Sequence, residues 1–120
     1  MNSEALAVHM AEVADQKNAQ DIAVLNMQGI SAMADYFIIC QGNSERQVEA
    51  IARDLKEQAS KEGVEVKRME GADKARWILI DLGDVIVHVF HREERAYYQL
   101  EKLWGDAPRV EVPGVTNLHV

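Results

Sequence analysis

Apolar and polar residues follow two periods along this chain, and the switches between them mark its elements. Near the start, Leu6, Met10, Val13 and Ala14 recur at helical spacing. Ser3 caps this helix, with Glu4 in its first turn. Asp21 to Met27 carries Ile22, Val24 and Leu25 and reads as a strand; Gln28 to Asp35, with Gly29, reads as a loop or short turn. Tyr36-Phe37-Ile38-Ile39-Cys40 is an apolar run of strand length, closed by Gln41-Gly42-Asn43. A helix then opens on Ser44-Glu45-Arg46-Gln47, which has the spacing of a capping box between Ser44 and Gln47. Val48, Ile51, Ala52, Leu55 and Ala59 form its apolar stripe, and Gly63 suits its end. Val64 to Met69 is of mixed polarity and predicts an edge strand.

The next unit is the most informative. Trp77-Ile78-Leu79-Ile80-Asp81-Leu82 and Val85-Ile86-Val87-His88-Val89-Phe90 flank Gly83-Asp84. Glycine first in a two-residue loop fits a type II′ hairpin. Pairing Leu82 with Val85 puts Ile78, Ile80, Leu82, Val85, Val87 and Val89 on one wholly apolar face. The other face then holds Trp77 opposite Phe90 and Leu79 opposite His88, with Asp81 diagonal to His88. A last helix is expected from about Arg92 to Trp104, with Ala96, Tyr97, Leu100, Leu103 and Trp104 on one side and Arg95, Tyr98 and Glu101 on another. Gly105 and Pro108 end it. The order predicts an α/β or α+β layer fold with a mixed sheet of about five strands flanked by helices. The division is a single domain over residues 1–107, then an irregular tail over 108–120 that contains both prolines, Pro108 and Pro113.

Charge narrows the functional classes. The chain of 120 residues has 13 Lys and Arg against 20 Asp and Glu, a net −7. Phosphate backbones repel such a chain, so direct sequence-specific nucleic-acid binding is not expected, whereas docking on a basic protein is. The lone Cys40 excludes an internal disulfide and fits a reducing compartment. The polar, acidic start lacks the basic and apolar regions of a secretory signal, and no apolar run reaches a membrane span, so the expected location is the cytoplasm.

Candidate chemistry is sparse. Asp81 and Asp84 could hold a metal ion, but one falls on a strand and the other in a turn, and no metal is expected. Gly42-Asn43-Ser44 opens a helix after a strand, where N–H groups can hold phosphate, yet capping explains it and no P-loop lysine is present. His88 and His91 are three apart and point to opposite strand faces, which disfavours a shared ligand. An Asp81–His88 pair would be structural, since no nucleophile accompanies it. Cys40 lies in an apolar run and reads as a buried, inert thiol. The aromatic set stands out. If the last helix covers only part of the second hairpin face, Trp77, Leu79, Asp81, His88 and Tyr98 remain as a mixed patch of the kind that centres a protein interface.

The stretches 34–39, 42–44, 70–71, 77–90 and 95–104 resemble the ribosomal silencing factor family, RsfS, also called Iojap, and the likeness spans roughly residues 5 to 107. The resemblance implies a nucleotidyltransferase-like α/β fold without catalysis or cofactor, a homodimer when free. It implies binding to the large ribosomal subunit through ribosomal protein number fourteen. There the factor would block small-subunit joining and lower translation when nutrients are scarce. On this reading Trp77 and Leu79 anchor the partner, Asp81 and Glu101 meet its basic residues, and His88 and Tyr98 add polar contacts and fix orientation. The alternatives are a nucleotidyltransferase-like enzyme or nucleotide sensor using Gly42, Ser44, Asp81 and Asp84, and a maturation factor that binds the large subunit without blocking joining. Against the enzyme, no strand carries an alternating D-x-D or D-x-E pair.

Overall fold

The computed structural model describes residues 2–98 and 104–115, with side chains except at 96–98. Its elements are α1 (Ser3–Gln16), β1 (Gln20–Asn26), β2 (Tyr36–Gly42), α2 (Glu45–Lys61), β3 (Arg68–Glu70), β4 (Trp77–Asp81), β5 (Val85–His91) and α3 (Arg92–Tyr98). The sheet is mixed and five-stranded, in the order β1-β2-β5-β4-β3. Its central pair, β2 and β5, is parallel; the other neighbours run antiparallel. This is the α/β arrangement that the element order implies.

Helices α1 and α2 cover one face of the sheet. The α2 stripe, Val48, Ile51, Ala52, Leu55 and Ala59, is buried as its spacing requires. It packs with Ile38 and Cys40 of β2 and with the apolar hairpin face, Ile78, Ile80, Leu82, Val85, Val87 and Val89. Two caps set the helix starts. Ser44 Oγ accepts the Gln47 N–H at 3.1 Å. The reciprocal bond comes from one residue earlier than a standard box, with Gln47 Oε1 accepting from the Asn43 N–H at 2.7 Å. At α1 the cap is Asn2, not Ser3: the Asn2 side chain accepts from the Ala5 N–H. Both residue types are good caps, and Ser3 instead donates to Asp35 Oδ2 at 3.3 Å.

The hairpin has the expected register, with Trp77 opposite Phe90, Leu79 opposite His88 and Asp81 opposite Ile86. The Leu82 N–H donates to the Val85 carbonyl, and Gly83 takes a φ of +93°. The edge strand β3 is only three residues long. Helix α3 is described to Tyr98; the rest of the predicted helix, residues 99–103 with Leu100 and Leu103, lies outside the described residues, and Trp104 beyond it is in a turn. Residues 104–115 are irregular but attached. Pro108 O accepts from the Asn26 N–H, Val110 N–H donates to Val24 O, and Arg109 bridges Leu25, all along the outer edge of β1. Val112, 2% exposed, reaches the core under the helices.

Gly71 fixes how β4 begins. Its φ is +85°, and a Cβ there would collide with the Trp77 carbonyl. Gly114 has nearly the same φ, +81°, and open space around it. In urea unfolding, Gly114→Ala is expected to lose about 1 kcal/mol, the left-handed backbone term alone. Gly71→Ala should lose at least about 2 kcal/mol more, because backbone must move. Equal losses would show that the close approach to Trp77 has no energetic weight.

Candidate functional site

The second face of the sheet is where the sequence places its candidates. Strand alternation sends Trp77, Leu79 and Asp81 of β4 and Ile86, His88 and Phe90 of β5 to this side. Phe37 and Ile39 of β2 and Leu25 of β1 continue it. Among the described residues after α3, Trp104 and Ala107 pack on this face. The covering leaves Trp77, Leu79 and Asp81 half-buried at the rim.

His88 sits behind that rim and is only 4% exposed. Phe37 meets it edge-on at 5.0 Å, Trp104 lies at 5.4 Å, Trp77 at 6.0 Å, and Phe90 stacks at 6.2 Å. The Trp77 indole N–H donates to His88 Nδ1 at 3.1 Å. Nδ1 therefore has no proton, and the neutral ring carries it on Nε2. That atom is buried and has no hydrogen-bond partner among the described residues. Burial among rings pushes the imidazole pKa down to about 4. Its one hydrogen bond goes to the rim residue Trp77, not outward to solvent. The indole lies 4.8 Å from Phe90, so it is pinned from two sides.

The other predicted residues separate. Asp81 does not meet His88: its Oδ1 accepts from the Gly83 N–H at 2.8 Å, and its Oδ2 faces Arg68 at 3.5 Å. Asp84 is exposed in the turn, and its backbone carbonyl accepts from the Asp35 and Tyr36 N–H groups. Among the described residues no group of three or more His, Cys, Asp or Glu is placed to hold a metal ion. The N–H groups of Asn43 and Gln47, near Gly42 and Ser44, are consumed by the cap. His91 accepts from the Glu93 N–H at the start of α3, well separated from the role of His88. Cys40 is fully buried and its thiol is pushed up to about 12 by burial, so it is inert at neutral pH. Tyr98 closes α3, but its side chain and the whole of Glu101 lie outside the described residues.

Three features escaped the sequence reading. Phe37 belongs to the aromatic group around His88; its place opposite Tyr36 and Ile38 in the β2 alternation was a usable signal. Arg76 joins elements that are distant in sequence, lying within 3.6 Å of Glu45 and 3.2 Å of Glu93 and Glu94. Arg95, 4% exposed, donates at 2.6 Å to the carbonyl of Asp21, which bulges from β1 with a φ of +51°. No local pattern announces either arginine. The cleft beneath Trp104, lined by Leu25, Ile39, Arg95 and Ala107 among others, has a volume of about 20 Å³. That is on the order of one water molecule and far below a small-molecule chamber.

What this face offers chemically is adhesion: an aromatic and aliphatic rim, a carboxylate beside it, and a rigid apolar base. Together the fold and face define a small α/β module that presents a half-buried aromatic and aliphatic rim. The family described as "Ribosomal silencing factor during starvation" matches residues 1–119. A ribosomal silencing factor of Halalkalibacterium halodurans is 58% identical over 117 residues, covering 98% of this chain and 100% of that protein. One from Bacillus subtilis is 58% identical over 112 residues, covering 93% of this chain and 95% of that protein. A crystal structure of a Bacillus halodurans protein superposes with a TM-score of 0.79 at 56% identity, covering 92% of this chain and 99% of that one. The chain belongs to the ribosomal silencing factor family, whose named role is regulatory. No helix among the described residues is long and apolar enough to cross a membrane.

The environment of His88 sets a pH signature. In the unfolded chain its pKa is 6.5, and in the folded chain about 4. Above pH 6.5 neither state binds the proton and the full stability is present. Between 6.5 and about 4 only the unfolded chain binds it, so stability falls as pH falls, by up to about 3 kcal/mol at the lower end. His88→Gln keeps an acceptor for the indole and does not titrate. Its melting temperature should therefore fall less steeply than wild type across this window. Parallel pH profiles would show that the folded imidazole binds its proton as readily as the unfolded one.

Proposed function

We propose that this chain silences ribosomes by steric block. It docks on the large subunit through ribosomal protein number fourteen and keeps the small subunit from joining, which lowers translation under nutrient limitation. The observation that carries this reading is the half-exposed Trp77–Leu79 rim, held over a rigid aromatic base with a carboxylate at its edge. A pre-positioned indole loses little freedom on binding, which is what a central interface anchor requires. The net charge of −7 favours a basic protein over bare ribosomal RNA.

In this reading Trp77 and Leu79 touch the partner, Asp81 faces its basic groups, and Tyr98 and Glu101 add further contacts. His88 serves from behind, by holding the indole. The reading includes action in the cytoplasm, where subunits join, no chemical turnover, and a homodimer of the free chain.

Gradient sedimentation of purified large and small subunits with added protein tests it. Co-migration with the large subunit and loss of the joined peak is the expected result. Co-migration with the joined peak intact would favour a maturation role, and no co-migration at micromolar protein would overturn the docking reading. Trp77→Ala should weaken binding roughly thirtyfold, the loss of about 2 kcal/mol typical of a central anchor. Leu79→Ala, which leaves the rings around His88 in place, should act in the same direction. Circular dichroism must show both variants folded; unfolding of Trp77→Ala would assign that residue to the core, and undiminished binding by both folded variants would remove the rim from the interface.

A further inference from the structure

The same face continues into a loop that the docking reading does not use. Ile30 and Met33, in the connection between β1 and β2, are 51% and 65% exposed. Single exposed apolar residues are ordinary. These two lie three apart on one ordered loop, and that loop is fixed from within. The Met27 carbonyl accepts the Ile30 and Ser31 N–H groups, each at 2.9 Å, and the Met27 N–H donates to the Asp35 carbonyl at 2.7 Å. Ser31 Oγ accepts from the Met33 N–H at 3.1 Å. The Asp35 and Tyr36 N–H groups donate to the Asp84 carbonyl, which ties the loop to the β4–β5 turn. Inside the loop, Met27 and Ala34 are buried in the same apolar cluster that Trp77 and Leu79 pack against. The loop thus presents apolar side chains outward without an internal place to put them, on a support that costs little ordering to use.

Position and charge say what would cover it. The Trp77–Phe90 row lies four residues along the strands from the Asp81–Ile86 row, about 13 Å at ~3.3 Å per residue. The loop stands at the latter end. One interface of standard size, about 800 Å² per partner, spans both. The sequence has no Lys or Arg between Lys17 and Arg46, nor between Arg76 and Arg92. Asp35 and Asp84 stand at the neck of the loop; Arg109, beside Leu25 where the loop leaves β1, is itself engaged, and so are the basic side chains on β3 and before it. Arg68 faces Glu70 and Asp81, and Lys67 faces Glu65. A second copy of this chain would bring the same acidic neck and be repelled, whereas a basic protein surface would be attracted.

We propose that the β1–β2 loop is a second anchor of the docking surface, in which Ile30 and Met33 seat on apolar groups of a basic protein partner while Asp35 and Asp84 face its cationic side chains. This rests on the docking reading above and extends the contact to the opposite end of the sheet face.

The test compares wild type, Trp77→Ala, the double variant Ile30→Ser/Met33→Ser, and Asp84→Lys for binding to purified large subunits at two salt concentrations. The loop variants change exposed side chains, so their melting temperatures should match wild type. The double variant should bind about tenfold more weakly or worse. Asp84→Lys should weaken binding too, and reduce its sensitivity to salt. Wild-type binding by both loop variants, with Trp77→Ala impaired, would overturn this inference and leave the docking reading intact. No binding by wild type would overturn both. Conversion of a wild-type dimer to monomers by the double variant, with subunit binding unchanged, would make the loop a self-association surface and equally overturn the proposal. Should the double variant melt early, Asp84→Lys alone decides between these outcomes.

Discussion

The constraint on which the rest depends is the complete burial of β5. All seven of its residues are buried, and β2 beside it is buried at all but Gln41. A parallel pair at the centre of a sheet requires cover on both faces. On one face α1 and α2 supply it with small and branched side chains. On the other, among the described residues, Arg95 of α3 and then Trp104 with Ala107 lie over β1, β2 and β5. The uncovered part falls on β4, next to the sheet edge. Trp77 and Leu79 are half-buried there because the hairpin must present one face somewhere, and α1 and α2 lie on the other. The exposed rim is thus a consequence of topology and not an isolated surface feature.

His88 shows how the polar content of that face is managed. A histidine opposite Leu79 in a hairpin looks like an outward polar contact. The structure turns it inward instead, among rings, where its charged form is disfavoured and one nitrogen is without a hydrogen-bond partner among the described residues. An unsatisfied buried donor costs roughly 1–3 kcal/mol. What offsets this is the bond from the indole together with the ring contacts. The outcome is a large aromatic side chain at the surface with its orientation set from behind. A leucine at position 88 would fill the space but remove the imidazole nitrogen that accepts from the indole N–H.

The fold was legible wherever local pattern and tertiary role agreed. The hairpin could be read to the register because two alternating runs and a glycine-first turn specify it, and α2 could be read because its cap and stripe point the same way. Elsewhere the deciding contact was distant. Asn2 and Ser3 are equivalent caps until Asp35, a loop away, draws the serine hydroxyl. Trp104 packs on Phe37 and His88, contacts that its spacing along the chain does not announce. The attachment of 108–110 to β1 is invisible to a reading that takes prolines as ends, because Pro108 contributes a carbonyl, the half of the backbone that proline retains. For the site, Trp77, Leu79 and Asp81 were recognisable from alternation, but the burial of His88 was not. It depends on Phe37 and Trp104, which are far away in sequence.

The electrostatics also explain why this face suits binding more than group transfer. Asp81 is committed to the turn N–H and to Arg68, and the imidazole nearest the rim is held neutral and enclosed. Acid–base work needs a group that exchanges protons with substrate near the working pH. Neither group is placed to do so: one carboxylate is engaged in shaping the hairpin, and one imidazole titrates far below neutrality with its free nitrogen walled off. The same two placements favour recognition. On the docking reading, the carboxylate would be fixed where a basic side chain of the partner can reach it, and the imidazole, bonded to the indole, would keep it from moving on contact. Rigidity that would hinder turnover lowers the entropic cost of docking, so one arrangement accounts for both what the face lacks and what it presents.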